Sequence, residues 1–390
     1  MKIAHFGTFD VDNYGDLLFP HVAQWRWPDE DWIHVSPLGN PTRFEDSLPT
    51  VGVKQACDMT FDAVMVGGGN IVNPGKTSLP DYGEVEGTAY PSLWLGAAVL
   101  AAKQEVPLVF NGPGIGPHDF HLLQKRLAIA VFSSAEYLAF RERESAAIAT
   151  RLSRRRSAVT IPDTAFDLPN MWPAVQGPTG GNRHYVAVHV NSRYQTSVES
   201  TARSLDLITK RLKAPVRLLS IGPCHGDIEL SHRVAERMRA DHSVGRVISI
   251  RAMAEVIAGA SLYIGSSMHG FITALSYGVP GLLVLNRRPM RKFTGLLEIA
   301  DIPSRAICES WEDVPESVGD EVLLPAERLE RLHRSLDRHW GDMREAVCSG
   351  APCMLPRWAF PWKRLVYLSR CIDRGVGKLP GSVRRMFSGE

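Results

Sequence analysis

Short apolar runs alternate with helical stretches along most of this 390-residue chain. The first run, Lys2 to Phe6, ends at Gly7 and is followed by a polar turn and then by an apolar-periodic stretch from Leu17. The same rhythm recurs as far as the run 157–163. Because strands that alternate with helices form parallel sheets covered on both faces, the pattern predicts an α/β fold.

The rhythm stops between Asn170 and Arg183, where NMWPAVQGPTGGNR is rich in Pro and Gly and typical of a linker. It restarts with HYVAVHVN and continues to VPGLLVL. We therefore predict two Rossmann-like domains, residues 1–172 and 183–310, followed by C-terminal helices and a basic tail, 311–390. Open parallel sheets bind ligands at the carboxyl ends of their strands. Two such domains facing each other share a cleft, which is the GT-B-like arrangement.

The composition is that of a soluble globular protein, with 44% hydrophobic and 22% charged residues. A net charge of +2 gives no global field for nucleic acid, so we expect no nucleic-acid partner. The N-terminus lacks the apolar core of a signal peptide, and no run is long enough to span a bilayer. The six cysteines include no CxxC pair, which favours reduced thiols over a disulfide frame or a zinc site. These features predict a cytoplasmic protein without a metal.

The most informative segment is SLYIGSSMHGFITALSYGVPGLLVL, residues 261–285. A strand ends at its glycine, Ser266 and Ser267 supply N-cap chemistry, and a helix begins around His269. The first turn of a helix attracts anions, and a histidine there donates or accepts a proton near neutral pH. Gly270 is expected to let a ligand approach closely. The alternative is that His269 only caps a strand–helix junction.

Clustered cations follow the next strand in NRRPMRKF, which includes Arg287, Arg288, Arg291 and Lys292. Cations at a strand end suit a phosphate or carboxylate ligand. Arg193, just beyond the first strand of the second domain, is a further candidate for a carboxylate. The alternative for the cluster is a solvated basic loop.

Three loops of the first domain follow predicted strands. The loop DNYGD offers Asn13 and Asp16 as partners for sugar hydroxyls, with Asp16 as a candidate base. The other two loops allow close approach of the backbone to a ligand, and their candidate residues are Gly68, Gly69, Asn70 and Gly114. No GxGxxG, P-loop, GxSxG or HExxH motif is present in the sequence.

Taken together, these segments resemble the polysaccharide pyruvyl transferase family from about residue 1 to about residue 300. The N-terminal strand followed by NYGD, the GGGN loop and the GPGIGP loop carry part of the resemblance. FRERES at 140–145 is similar to the family's R-[DE]-x-x-S segment, and PDTAF at 162–166 to its D-P-A-F segment. SSMHGFITALSYGVP is the strongest match.

The resemblance implies a GT-B-like fold, phosphoenolpyruvate (PEP) as co-substrate, no other cofactor, and a pyruvate ketal on a saccharide as product. It implies that His269 corresponds to the family's catalytic histidine and that Lys292 matches a family lysine. From the chemistry of PEP, we take His269 as the candidate acid. The first domain would hold the acceptor and the second the PEP. Several members have arginine where this chain has Ser267 or Met268. The anionic groups of PEP would then be bound by Arg193 and Lys292, or by the other arginines of the 286–293 cluster.

Two other functions stay open. One is a GT-B glycosyltransferase that uses a nucleotide sugar, and the other is a non-catalytic glycan-binding relative. The C-terminal segment RWAFPWKRLVYLSRCIDRGVGKLPGSVRRMF is basic and aromatic. It predicts a helix that packs on the first domain and is followed by a frayed tail. The alternative is a peripheral contact with anionic lipid at the inner membrane face, or with a lipid-linked acceptor. The sequence leaves open whether the acceptor is lipid-linked or polymeric.

Overall fold

The computed structural model describes residues 1–77, 79–116, 120–154, 156–173, 184–192, 197–246, 249–285 and 291–373. It confirms the predicted fold class, because the chain forms two parallel sheets flanked by helices in a GT-B-like arrangement. Arg193 and the stretch 286–290, which holds Arg287 and Arg288, lie outside the described residues.

The first sheet has seven parallel strands in the order β3-β2-β1-β4-β5-β6-β7. The strands are β1 (Lys2–Phe6), β2 (Asp31–Ser36), β3 (Thr50–Gly52), β4 (Ala63–Gly67), β5 (Leu108–Asn111), β6 (Tyr137–Phe140) and β7 (Val159–Thr160). The helices of this half are α1 (Tyr14–Arg26), α2 (Val53–Ala56), α3 (Ala89–Pro91), α4 (Ala97–Gln104), α5 (Leu122–Ser134), α6 (Arg143–Leu152) and α7 (Leu168–Met171). A π-helical turn at Ser92–Gly96 leads into α4, and 3₁₀ turns lie at Pro80–Val85 and Thr164–Asp167.

The second sheet has six parallel strands in the order β10-β9-β8-β11-β12-β13. The strands are β8 (Val186–His189), β9 (Val216–Leu218), β10 (His242–Val244), β11 (Leu262–Gly265), β12 (Gly281–Val284) and β13 (Ile307–Cys308). The helices are α8 (Val198–Leu212), α9 (Asp227–Ala235), α10 (Ile250–Ala258), α11 (Met268–Ser276), α12 (Arg291–Ile299) and α13 (Val314–Ser317). Short 3₁₀ turns lie at Pro223–His225 and Ser304–Ala306.

Both sheets reverse their strand order at a neighbouring pair of strands: β1 and β4 in the first sheet, β8 and β11 in the second. Loops that leave such a pair diverge to opposite faces and open a crevice, which is where open α/β sheets bind ligands. The central strands β4 and β8 are buried along their whole length. Burial on both faces explains why they are continuous apolar runs rather than alternating ones.

The first helix begins three residues earlier than the sequence pattern predicts, at Tyr14 instead of Leu17. The reason is the cap at Asn13, whose side-chain oxygen accepts a hydrogen bond from the Gly15 N–H at 3.0 Å. The NYGD segment is therefore the first turn of α1 rather than a turn before it. This brings Asp16 to the helix N-terminus.

The two halves pack directly against each other. Tyr14 is fully buried in the core that they share, and its hydroxyl lies 2.9 Å from the Thr273 hydroxyl of α11. The Tyr14 N–H donates to the Ile221 carbonyl at 2.9 Å, so α1 also bonds the loop after β9. These contacts hold the first turns of α1 and α11 side by side.

Two further helices complete the chain, α14 (Ala326–Cys348) and α15 (Trp362–Asp373), with a 3₁₀ turn at Arg357–Ala359 between them. Trp340 of α14 packs edge-on against Trp27 of the first half, with ring centroids 5.4 Å apart. Trp362 and Val366 of α15 join the apolar core of the first half. No helix in the described ranges is both long and apolar enough to cross a membrane.

Candidate active site

A cavity of about 390 Å³ lies between the two halves, at the carboxyl ends of the strands where both sheets reverse their order. Of the residues proposed from the sequence, those on its wall are Asn13, Asp16, Gly69, Asn70, Ser266, Ser267, His269 and Lys292. They come together because each follows a parallel strand, and such strands end at one edge of their sheet.

His269 stands in the first turn of α11, two residues after the N-cap Ser267, whose hydroxyl accepts the Gly270 N–H at 3.2 Å. The side chain is 12% exposed. Its Nε2 lies 3.5 Å from Oδ2 of Asp163 and 3.4 Å from Nη1 of Arg141. The ring also meets Phe19 edge-on, with centroids 5.4 Å apart. The imidazole is therefore held in one orientation at the cavity wall.

Asp163 and Arg141 form a buried ion pair beside this imidazole. Arg141 Nη1 lies 2.7 Å from Asp163 Oδ2, and both side chains are almost entirely buried. Burial alone would raise the pKa of Asp163, but His269 and Arg141, together with a hydrogen bond from the Ala165 N–H, hold that pKa well below its usual range. The carboxylate is thus ionised and forms an ion pair with His269 whenever the ring is protonated.

Neither partner of this pair was among the candidate residues from the sequence. Arg141 follows β6 in the FRERES segment, and Asp163 follows β7 in PDTAF. Both segments appeared in the sequence only as points of family resemblance. Their position at strand ends was a usable signal, but it did not reveal that they meet His269, which lies 128 residues beyond Arg141.

Asp16 also lines the cavity, in the first turn of α1. Burial raises the pKa of Asp16, and the nearby charges of His269 and Arg141 offset only part of that effect. A carboxyl with a raised pKa at a cavity wall is suited to accept a proton.

The glycine loop after β4 has a mixed role. Gly69 and Asn70 line the cavity, whereas Gly68 does not. Gly68 has a φ of +72°, and a Cβ there would fall 2.2 Å from the Phe19 ring, so it accommodates the aromatic ring that packs on His269. Asn70 Oδ1 is buried and has no hydrogen-bond partner among the described residues.

Two glycines expected to admit a ligand pack against protein atoms instead. A Cβ at Gly114 would meet Asn70 Oδ1 at 2.6 Å, and the Gly114 N–H bonds the Gly69 carbonyl at 2.9 Å. A Cβ at Gly270 would meet the Tyr263 hydroxyl at 2.4 Å. Neither lines the cavity. Their small size is required for packing behind the wall.

The cations near the second half separate into two groups. Lys292 lines the cavity, with Nζ 4.9 Å from the centroid of the Phe293 ring. Arg291 turns away, since its Nη2 lies 2.6 Å from Glu144 Oε1 on α6. Arg193 and Arg288 remain candidates from the sequence alone.

The second half adds cavity residues that the sequence reasoning missed, chiefly His189 and Asp227. His189 is the last residue of β8, and Asp227 is the first residue of α9. Among the described residues, no group of three or more His, Cys, Asp or Glu side chains is arranged to hold a metal ion.

Solved structures with a similar fold include nucleotide-sugar enzymes. S. aureus MnaA, in a structure with UDP, has 11% sequence identity and a TM-score of 0.51, over 97% of this chain and 98% of that chain. The UDP-GlcNAc 2-epimerase of Methanocaldococcus jannaschii, in complex with UDP-GlcNAc and UDP, has 11% identity and a TM-score of 0.51, over 87% of this chain and 100% of that chain. At such identities the similarity concerns the fold alone.

The family is shown by the sequence itself. The chain belongs to the polysaccharide pyruvyl transferase family, whose model matches residues 13–288. No curated protein matches the sequence. The matched range includes the reversal point of the second sheet, β8 and β11, and strand β4 of the first sheet, but it begins after β1. Of the cavity residues discussed above, it leaves out Lys292.

Proposed function

We propose that this member of the polysaccharide pyruvyl transferase family moves the enolpyruvyl group of PEP to a saccharide and closes a pyruvate ketal. The observation that carries the proposal is the presence of His269, Arg141 and Lys292 on one cavity between the two halves. PEP carries a phosphate and a carboxylate on the same carbon. A site for it must hold two anionic groups and supply one acid.

The chemistry assigns a role to each group. A proton delivered to the methylene carbon of PEP builds positive character on the neighbouring carbon, which a sugar hydroxyl attacks. Phosphate then leaves, and a second hydroxyl closes the ketal. His269 is the proposed acid, because its imidazole lines the cavity and its Nε2 lies 3.5 Å from the ionised Asp163. The cations are side chains, and PEP is a co-substrate rather than a cofactor.

Arg141 and Lys292 are the proposed partners of the two anionic groups. Several family members carry arginine next to the histidine, where this chain has Ser267 and Met268. Arg141 brings a guanidinium within 3.4 Å of His269 from the other half of the molecule. Its position supports the proposal that Arg141 binds the anion that the arginine beside the histidine binds in those family members. Free N–H groups in the first turn of α11 add attraction for an anion.

The acceptor saccharide is proposed to bind on the first half. Asn13, Asp16 and Asn70 line the cavity there. Asn70 Oδ1, which has no partner in the described part of the chain, is suited to accept a hydrogen bond from a sugar hydroxyl. Asp16 is the proposed base, because its raised pKa favours proton uptake.

The test is phosphate release from PEP in the presence of a panel of lipid-linked and free saccharides. Release by the wild type, lost in His269→Ala and retained in His232→Gln on the exposed face of α9, supports the proposal. Absence of release with every acceptor contradicts it.

Thermal-shift measurements distinguish the competing functions. Stabilisation by PEP but not by UDP or GDP sugars supports pyruvyl transfer. Stabilisation by a nucleotide sugar alone supports a GT-B glycosyltransferase. If neither PEP nor a nucleotide sugar stabilises the protein, the result supports a non-catalytic glycan-binding protein.

The C-terminal region is proposed to contact anionic lipid, which would bring the enzyme to a lipid-linked acceptor at the inner membrane face. Met354, Trp358 and Tyr367 are 64%, 48% and 55% exposed. The cations Arg357, Lys363 and Arg364 are exposed beside them, and residues 346–372 contain no Asp or Glu. Exposed aromatic side chains among unopposed cations are typical of peripheral membrane surfaces. The basic tail beyond residue 373 lies outside the described residues.

A further inference from the structure

A second histidine with a carboxylate partner lies on the cavity, in the other half from Asp16. Nε2 of His189 is 2.6 Å from Oδ2 of Asp227, and both side chains are almost fully buried. The same Asp227 oxygen accepts the Gly222 N–H at 2.7 Å. Two donors directed at one oxygen fix the carboxylate at the start of α9.

This contact determines which ring nitrogen carries the proton. An ionised carboxylate can only accept hydrogen bonds, so the His189 nitrogen that faces it must be the protonated one. In the neutral ring the other nitrogen, Nδ1, then has a free lone pair. Carboxylate–histidine pairs are used in this way to orient a base.

The remaining polar atoms of this pair are unused within the described part of the protein. His189 Nδ1 and Asp227 Oδ1 are buried and have no hydrogen-bond partner among the described residues. A buried polar atom without a partner costs free energy and calls for a ligand or a water. Both residues line the cavity, so a ligand there is suited to supply the missing donor.

The strand register places this pair beside the proposed acid. His189 ends β8 and is paired with Gly265 at the end of β11, and the Ser266 N–H donates to the His189 carbonyl at 3.3 Å. His269 lies three residues after Ser266. The two histidines therefore rise from neighbouring strands into one cavity.

We propose that His189, oriented by Asp227, is a second base of the site and accepts the proton of one acceptor hydroxyl. The inference deepens the proposed function and rests on it. In this assignment His189 touches the substrate and is catalytic, whereas Asp227 is a positioning residue.

The stoichiometry of ketal formation explains why a second base is needed. Each of two sugar hydroxyls forms a bond to the central carbon of PEP and loses its proton. The carbon–oxygen bond to phosphate breaks, and its electron pair leaves with the phosphate. One proton ends on the new methyl group and the other on the phosphate, so protons and charge balance without another reactant. Asp16 and His189, on opposite halves, provide one acceptor for each hydroxyl.

The kinetic test is His189→Gln, because the glutamine amide N–H can still donate to Asp227 while the ring base is lost. With the acceptor that gives the highest rate of phosphate release, we expect kcat to fall about 100-fold with KM for PEP unchanged. The matched control is His242→Gln in the edge strand β10, which should behave as wild type. A kcat within threefold of wild type, or a change in KM for PEP alone, would overturn the proposal.

A second measurement depends neither on PEP nor on a variant's activity. Nitrogen NMR of histidine-labelled wild type, with the His189 signal assigned by its loss in His189→Gln, reports the tautomer at pH 7. A neutral ring protonated at Nε2 supports the proposal, and a ring protonated at Nδ1 overturns it. If the wild type does not use PEP at all, the proposed function fails by itself, and the tautomer still decides whether His189 is available as an acceptor.

Discussion

Gly15 lies directly against the imidazole of His269, so close that a Cβ at position 15 would fall 1.8 Å from Nδ1 of the ring. The two residues belong to different halves of the molecule and to the first turns of α1 and α11. Glycine at this position is therefore needed for His269 to occupy its place on the cavity.

Gly15→Ala should displace the His269 ring and lower phosphate release from PEP about 100-fold or more, the usual contribution of a positioned acid. The matched control is Gly341→Ala in α14, where a Cβ meets nothing within 4 Å. That control should keep full activity and gain up to about 1 kcal/mol in the free energy of unfolding. Full activity of Gly15→Ala would contradict the assigned role of His269.

Asp16→Asn should raise thermal stability at pH 7 while it lowers turnover. Because burial raises the pKa of Asp16 above its unfolded value, the folded state is destabilised as pH rises through the folded-state pKa. A neutral amide removes that cost. The gain in melting temperature should therefore be largest at pH 7 and shrink towards pH 4. Exposed Asp58→Asn is the control, and a lower melting temperature for Asp16→Asn at pH 7 would contradict the prediction.

Asp163→Asn should destabilise the fold strongly, because it removes the carboxylate 2.7 Å from the buried Arg141 cation and leaves only the more distant Glu142, at 3.8 Å. We expect the free energy of unfolding, measured with urea, to fall by about 3–5 kcal/mol. The control is Asp301→Asn, because Asp301 pairs with Arg328 at the surface; it should lose at most about 1 kcal/mol. The pKa of Asp163 is depressed, so its stabilising effect is complete above the unfolded pKa and is lost as pH falls below it. The difference in the free energy of unfolding between wild type and Asp163→Asn should then become smaller below about pH 4. Equal losses in the two variants would argue against a buried pair.

Much of the cavity wall was predictable because the sequence marks the ends of parallel strands. His269, Asp16 and Asn70 each follow an apolar run that ends in glycine or a polar turn, and such ends meet at one edge of a sheet. The fold class followed from the same alternation. The start of α1 was misplaced because Asn13 was taken as a sugar contact and not recognised as an N-cap.

The remaining contacts depend on long-range packing that no local pattern contains. Arg141 and Asp163 meet His269 only because the two halves close on each other, and His189 meets Asp227 across 38 residues. Gly114 and Gly270 show the opposite error. A glycine beside a candidate site has the same local signature whether a ligand or a neighbouring side chain requires the space.

The C-terminal surface should bind anionic vesicles. We expect the wild type to sediment with vesicles that contain phosphatidylglycerol and not with phosphatidylcholine alone. The double variant Lys363→Glu and Arg364→Glu should weaken binding at least about thirtyfold, since each basic residue contributes about 1 kcal/mol near such a surface. The controls are Lys54→Glu and Leu323→Ser, exposed residues elsewhere on the protein. Wild-type binding by the double variant, or equal loss in the controls, would contradict a lipid contact at this surface.

His339 should make the protein sensitive to mild acid. Its ring is buried between α14 and the first sheet, where Nε2 lies 2.8 Å from Asn111 Oδ1 and Nδ1 lies 3.0 Å from the Tyr137 hydroxyl. Burial, with a smaller effect of the Arg26 charge, lowers the pKa of His339 to about 3. The unfolded chain takes up a proton below about pH 6.5, whereas the folded protein does not until far lower pH. Stability contributed by the neutral ring is therefore complete above pH 6.5 and is lost as pH falls.

The expected loss from this one group approaches about 1.4 kcal/mol per pH unit between pH 6 and pH 4. In urea unfolding across this range, the slope of the free energy of unfolding against pH should be smaller by that amount in His339→Gln. The glutamine amide N–H can still donate to Asn111. His34, whose pKa burial also lowers to about 3, should keep part of the acid sensitivity in this variant. The exposed His232→Gln should leave the slope unchanged. An unaltered slope in His339→Gln would mean that the ring is accessible to protons in the folded protein.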